Sequence, residues 1–162
     1  MTALSRCRRI FSMVFHDPAL LAEALALPLL LPLSFRFTGV PKTQAWLRNW
    51  AEVHVKKVHS KNPIGAGPDA VISSALRAQR VVKRTTGIGG SCLVRSLSLW
   101  AILLRRGVHT ALRVGMRRSG EKIEGHAWLE IEGIPVNENE RVIRGYSIHD
   151  GPISFDRSTR TD

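Results

Sequence analysis

The run SCLVRSLSLWAILLRRG at residues 91–107 is followed by ALRVGMRRS at 111–119 and GHAWLEIEGIPV at 125–136. The apolar period changes along it. Leu93, Leu97, Trp100, Ala101 and Leu104 recur at helical spacing, so 92–106 reads as an apolar helix. Arg105 and Arg106 suit its C-terminal dipole, and Gly107 ends it. Beyond it Leu112, Val114 and Met116 alternate with Arg113, Gly115 and Arg117, and Ala127, Leu129 and Ile131 alternate with Trp128, Glu130 and Glu132. A period of two is that of half-buried strands, and Glu132-Gly133 predicts a hairpin turn into Ile134–Val136. Helices followed by an antiparallel sheet predict an α+β fold in which the Cys-bearing helix packs on the sheet that carries the His.

Upstream, Pro18 to Leu31 predicts a helix that frays at its prolines. Thr43 is placed to N-cap a second helix reaching His59, with Trp46, Trp50 and Val53 on one core-facing stripe. Ser60 to Pro68 (SKNPIGAGP) is the clearest linker. It divides a helical region, 1–64, from a second domain, 65–162, that holds the Cys-bearing helix and the sheet. Asp69 is placed to cap a third helix to Arg84, with Val71, Ile72, Ala75, Leu76, Ala78, Val81 and Val82 as its apolar stripe. Thr85 to Ser91 reads as a flexible loop, and the tail from Gly151 as a loose polar segment.

The chain has 162 residues, 44% of them hydrophobic, which excludes a disordered chain and supports one sizeable core. A net charge of +11 attracts polyanions, anionic lipid or acidic peptides. The cations are scattered, with no zinc spacing and a single Tyr to interleave with them, so nucleic-acid binding is not the expected role. Cys7 and Cys92 form neither a disulfide framework nor a metal clip, which points to a reducing, cytoplasmic setting. Ala19 to Leu33, preceded by Arg6, Arg8 and Arg9, looks at first like a signal peptide. Asp17 and Glu23 and the absence of a small-residue cleavage site argue against that. The run is short for a bilayer and broken by Pro28 and Pro32, so it reads as a buried helix, with a membrane-surface or partner-facing helix as alternatives.

The chemistry lies in two residues 34 apart, Cys92 and His126. A thiol at a helix start sits among free N–H groups that favour the thiolate, and an imidazole can hold its proton. The preceding Gly87, Gly89 and Gly90 let a backbone approach closely, and the Cys92 N–H is a candidate oxyanion donor. The plain alternative is a buried core cysteine and a structural histidine. A third group should orient the imidazole. Glu138 and Asn137 are the local candidates, with Asp150 next. A two-residue Glu132-Gly133 turn puts Asn137 on the face of His126, whereas a longer loop or a bulge puts Glu138 there.

The blocks SCLVRSLSL at 91–99, LLRRG at 103–107, LRVG at 112–115 and GHAWLEIEG at 125–133 resemble the transglutaminase-like leader peptidases of lasso peptide biosynthesis. The likeness is close over about Asp69 to Glu138. It implies a papain-like cysteine protease that removes the leader from a ribosomally made precursor, so that a macrolactam synthetase partner can close the ring. It also implies Cys92 as nucleophile, His126 as general base and an acid twelve residues after the His, usually Asp and here Glu138. No winged-helix leader-binding module is recognisable in 1–60, which implies the discrete form acting with a separate leader-recognition protein. No metal or cofactor is implied. Gly87-Ile88-Gly89-Gly90 is no phosphate loop, so any ATP requirement belongs to the ring-closing partner. The competing readings are a thiol acyltransferase or amidase on the same fold and a non-catalytic basic binding protein.

Overall fold

The computed structural model describes residues 17–59 and 67–148. Cys7, Asp150, most of the expected linker and the tail from Gly151 lie outside the described residues. The order is α1 (Pro18–His59), α2 (Pro68–Thr86), α3 (Cys92–Arg105), β1 (Ala111–Ser119), β2 (Lys122–Ile131), β3 (Ile134–Pro135), α4 (Glu140–Ile143) and β4 (Ser147–Ile148). The strands form one antiparallel sheet in the order β3-β2-β1-β4. The α+β expectation holds.

Helix α3 is the centre of the molecule. Every residue from Ser96 to Leu104 is buried, because α1 and α2 cover one side and the sheet another. Leu20, Ala24, Leu27, Leu31, Leu47 and Ala51 of α1, Ala75, Ala78 and Val82 of α2, and Leu129 of β2 join it in a single apolar cluster. The segments on either side of residue 64 thus share one core.

Four local expectations are corrected. Pro28 and Pro32 do not end the first helix. It runs on to a kink at Gly39 (φ 77°, ψ 167°), beyond which a second helical arm continues. Packing on α3 supplies what the missing proline N–H groups do not. Asp17 starts the first arm, its Oδ1 accepting the Leu20 N–H at 2.8 Å.

Thr43 is not an N-cap. It lies inside the second arm, fully buried, and its hydroxyl donates to the Gly39 carbonyl and meets the Ser34 and Thr38 hydroxyls at 2.7 and 3.0 Å. Once that hydroxyl is satisfied, the buried stripe becomes Thr43, Leu47 and Ala51. The expected core stripe therefore faces outward: Trp46 is 56% and Val53 57% exposed, and Trp50 is half-buried beneath the Arg105 guanidinium, 4.6 Å from its ring.

Helix α2 is capped by Gly67, with Pro68 opening the helix, and Asp69 sits in the first turn with no side-chain cap bond. Its expected stripe is otherwise found, with Ala75, Ala78 and Val82 buried.

Candidate functional site

Ser91 caps α3, its hydroxyl accepting the Val94 N–H at 3.4 Å. Cys92 is therefore the first residue of the helix, where its N–H has no intrahelical acceptor. Gly90 makes this entry possible. Its φ is +59°, and a Cβ there would lie 2.5 Å from the Val94 side chain, so only glycine fits. The half-exposed Cys92 Sγ lies 4.0 Å from the carbonyl of Gly125, the residue before His126. Among the described residues this carbonyl, not the imidazole, is the thiol's hydrogen-bond partner.

Residues 34 apart in the chain are brought together because α3 is pinned to β2. The Ser96 hydroxyl donates to the Ala127 carbonyl at 2.9 Å and accepts the Asn137 amide at 2.9 Å. Ser96 and Asn137 are both buried or half-buried, so this polar clamp locks helix to strand one turn along from the thiol.

His126 Nε2 lies 3.0 Å from Glu138 Oε2. The other carboxylate oxygen accepts the Asn139 N–H at 3.2 Å, which fixes its orientation. Of the three candidates weighed for the position beside His126, the structure brings Glu138 to it, while Asn137 faces elsewhere and Asp150 lies outside the described residues. The route is not the one expected. The hairpin has the tight two-residue turn, pairing Ile131 with Ile134 and Glu130 with Pro135, with Glu132 and Gly133 both at positive φ. That register was expected to aim Asn137 at His126. The ladder stops instead after the Val136 N–H bonds the Leu129 carbonyl. The Asn137 side chain takes the next ladder position, its Oδ1 accepting the Leu129 N–H at 2.8 Å. A side chain has replaced backbone, the chain leaves the sheet, and strict alternation no longer counts faces beyond it.

Rings hold the imidazole from the sides. Trp128 stacks on it at 6.1 Å and Tyr146 tilts against it at 5.4 Å. Trp128 is fully buried, its indole N–H donating to Glu130 at 2.7 Å, and Glu130 pairs with Arg113. Gly115 lies opposite His126 in the ladder, and a Cβ there would stand 2.8 Å from Tyr146 Cβ and 2.9 Å from the Trp128 ring. The glycine makes room for the two rings. Arg117 caps the outer face of Tyr146 at 4.7 Å. Its hydrogen bond to Glu124 holds the guanidinium above the ordinary arginine range, so it is a fixed positive charge. Tyr146 and Ser96 were missed in the sequence. The alternation of His126 and Trp128 was the available signal for Trp128, but nothing local connects Tyr146 to a strand twenty residues earlier.

A cleft of about 550 Å³ opens beside Glu138. Pro28 of α1, Gln79, Arg80 and Lys83 of α2 and Arg95 of α3 line it with Glu138. Among the described residues none of these three cations is ion-paired. Among the described residues, Glu138 is the only carboxylate on the wall, and it is already engaged by His126 and Asn139. The cleft is therefore positive next to the thiol-imidazole-carboxylate cluster.

A family model described as the transglutaminase-like superfamily matches residues 30–148. The chain belongs to the transglutaminase-like superfamily. The superfamily match begins inside α1 and ends in β4, taking in the helix start, the His strand and Glu138. Superfamily members are typically cysteine proteases or acyltransferases, and both chemistries form a thioester on a cysteine. Comparison with curated proteins and with solved structures finds no match.

Proposed function

We propose that this protein is a cytoplasmic cysteine peptidase that removes the leader from a lasso peptide precursor before the macrolactam ring is closed. The observation that carries the catalytic part is the His126–Glu138 pair at 3.0 Å beside a cysteine that opens a helix. The sequence blocks at 91–107, 112–115 and 125–133 support the lasso peptide role. A separate leader-recognition protein and a macrolactam synthetase are the proposed partners, and no cofactor enters the reaction.

In the proposed mechanism Glu138 accepts the Nε2–H of His126, which leaves Nδ1 as the basic nitrogen. Nδ1 takes the proton of Cys92, and Sγ attacks the scissile carbonyl. The helix-terminal N–H of Cys92 donates to the oxyanion. The tetrahedral intermediate collapses as the imidazolium protonates the departing amine, which is the new N-terminus of the core peptide. Water, deprotonated by His126, then attacks the thioester. The leader carboxylate is released and the thiol regenerated. The thiol, which here meets the Gly125 carbonyl, has to turn to the imidazole only when substrate is bound.

The test is mass analysis of a precursor incubated with the protein and its leader-recognition partner. Hydrolysis releases the leader as a free acid. An adduct of the acyl group with an added amine identifies the acyltransferase reading instead. Cys92→Ala should keep its circular dichroism spectrum and release no leader. Continued cleavage by the folded variant would sink the thiol mechanism, and with it the peptidase reading.

A further inference from the structure

The first arm of α1 is amphipathic in an inverted sense. Between residues 18 and 37 it carries two charged side chains, Glu23 and Arg36. Glu23 faces inward, 8% exposed, and pairs with Arg105 at 2.6 Å and with Arg106. The outward face is made of Ala19, Ala22, Leu25, Ala26, Leu29, Leu30, Pro32 and Leu33, continuing into Phe37. Leu29, Leu30 and Leu33 are 53–55% exposed and Phe37 76%. A helix of a water-soluble core presents the opposite arrangement, polar residues outward and leucines inward. A contiguous exposed face of leucines marks an interaction surface.

We propose that this face docks on an anionic lipid bilayer, with α1 lying in the interface plane. The occupant is chosen by charge. The chain carries +11, so a second copy is repelled and an anionic surface attracted. Basic residues flank the apolar arm in sequence, with exposed Arg36, Lys42 and Arg48 toward its far end and Arg6, Arg8 and Arg9 before it. Exposed Phe37 and Trp46 are the aromatic groups that such interfaces favour. By length and composition Pro18–Val55 is apolar enough to cross a membrane. It lies on the bilayer rather than spanning it, because Leu20, Ala24, Leu27 and Leu31 are committed to the core with α3, and Glu23 is tied to Arg105 and Arg106. A peptidase held in this way would meet its substrate at the inner surface of the membrane.

The test uses the purified full chain and protein-free vesicles. One set is phosphatidylcholine with phosphatidylglycerol, the other phosphatidylcholine alone. The protein should pellet with the anionic vesicles, less with the neutral ones and less at raised salt, and the emission of exposed Trp46 should shift to the blue, with Trp46→Phe abolishing the shift. Leu29→Gln/Leu33→Gln should lower partitioning at least tenfold, because two leucine side chains no longer insert. Its circular dichroism and its rate of Cys92 alkylation should match the wild type. No pelleting of the wild type overturns the proposal, and so does a double variant that pellets equally well, since charge alone would then suffice. Sedimentation velocity without vesicles is the other arm. A wild-type dimer that the double variant abolishes, with no vesicle binding, would assign the face to a second copy and overturn the bilayer. None of these readouts depends on the identity of the peptide cleaved.

Discussion

At the scale of single residues, the candidate site has a division of labour between neighbours that face different ways. Asn137 and Glu138 are adjacent, yet one clamps Ser96 and Leu129 and the other meets His126. Glu138→Gln retains an acceptor for Nε2 but loses the charge that favours an imidazolium, and its own N–H₂ competes for the ring. The turnover rate should fall by roughly 10²–10⁴, with stability unchanged. Asn137→Ala removes an acceptor for a backbone N–H and a donor to Ser96. It should cost about 1–3 kcal/mol of stability, read by denaturant unfolding, while turnover per folded molecule stays close to wild type. Opposite behaviour of the two variants would exchange their roles. His126→Ala should abolish leader release as fully as Cys92→Ala does, and the double variant should be little worse than either. Losses that multiply would mean that the two residues act independently.

At the scale of elements, what matters is how α1 is fastened to α3. The apolar contacts are reinforced by one half-hidden ionic knot, in which Glu23 binds Arg105 and Arg106, Arg106 also reaches Asp17 at 3.4 Å, and Arg105 covers the Trp50 ring. Removing the acid leaves two guanidiniums, each about one-fifth exposed, without their shared partner. Glu23→Ala should therefore cost about 3 kcal/mol, which for a chain of this length lowers Tm by roughly 6–12 °C. A shift below a degree or two in a thermal melt would show that the knot is screened and that the leucine contacts hold the helix alone. The same knot explains why the arm shows its leucines to the outside. Its single acid is used inward, so the face left for solvent has no polar group of its own until Arg36.

At the scale of the molecule, a chain of net charge +11 has a cleft whose three cations have no carboxylate partners among the described residues. Capture of an acidic peptide segment in that cleft should weaken as salt rises, because exposed charges are screened over about 10 Å at 0.1 M. The apparent KM for precursor cleavage should increase with ionic strength while kcat stays level. Arg80→Glu/Lys83→Glu should raise KM at low salt and flatten its salt dependence. A KM indifferent to salt, measured with the recognition partner present, would remove the cleft charge from substrate binding.

The local chemistry of the chain already determined the helix that begins at Cys92, the strand that carries His126 and a hairpin at Glu132-Gly133, though not the length of its turn. Each is written in neighbouring residues: an apolar run at helical spacing, a change to a period of two and a Glu-Gly pair between strand-patterned runs. The α+β order followed from those elements alone. Other features depend on partners distant in the chain, and only the tertiary structure decided them. Pro28 and Pro32 remain inside a helix because α3 packs along it. Thr43 is buried, and Trp46 exposed, because hydroxyls from Ser34 and Thr38 satisfy the threonine across a kink. Glu138, not Asn137, reaches His126 because Asn137 is drawn away by Ser96, forty-one residues earlier. Periodicity counts faces only while the backbone ladder is intact. Where a side chain takes over a ladder bond, the direction of the next residue is set by what it can reach in three dimensions.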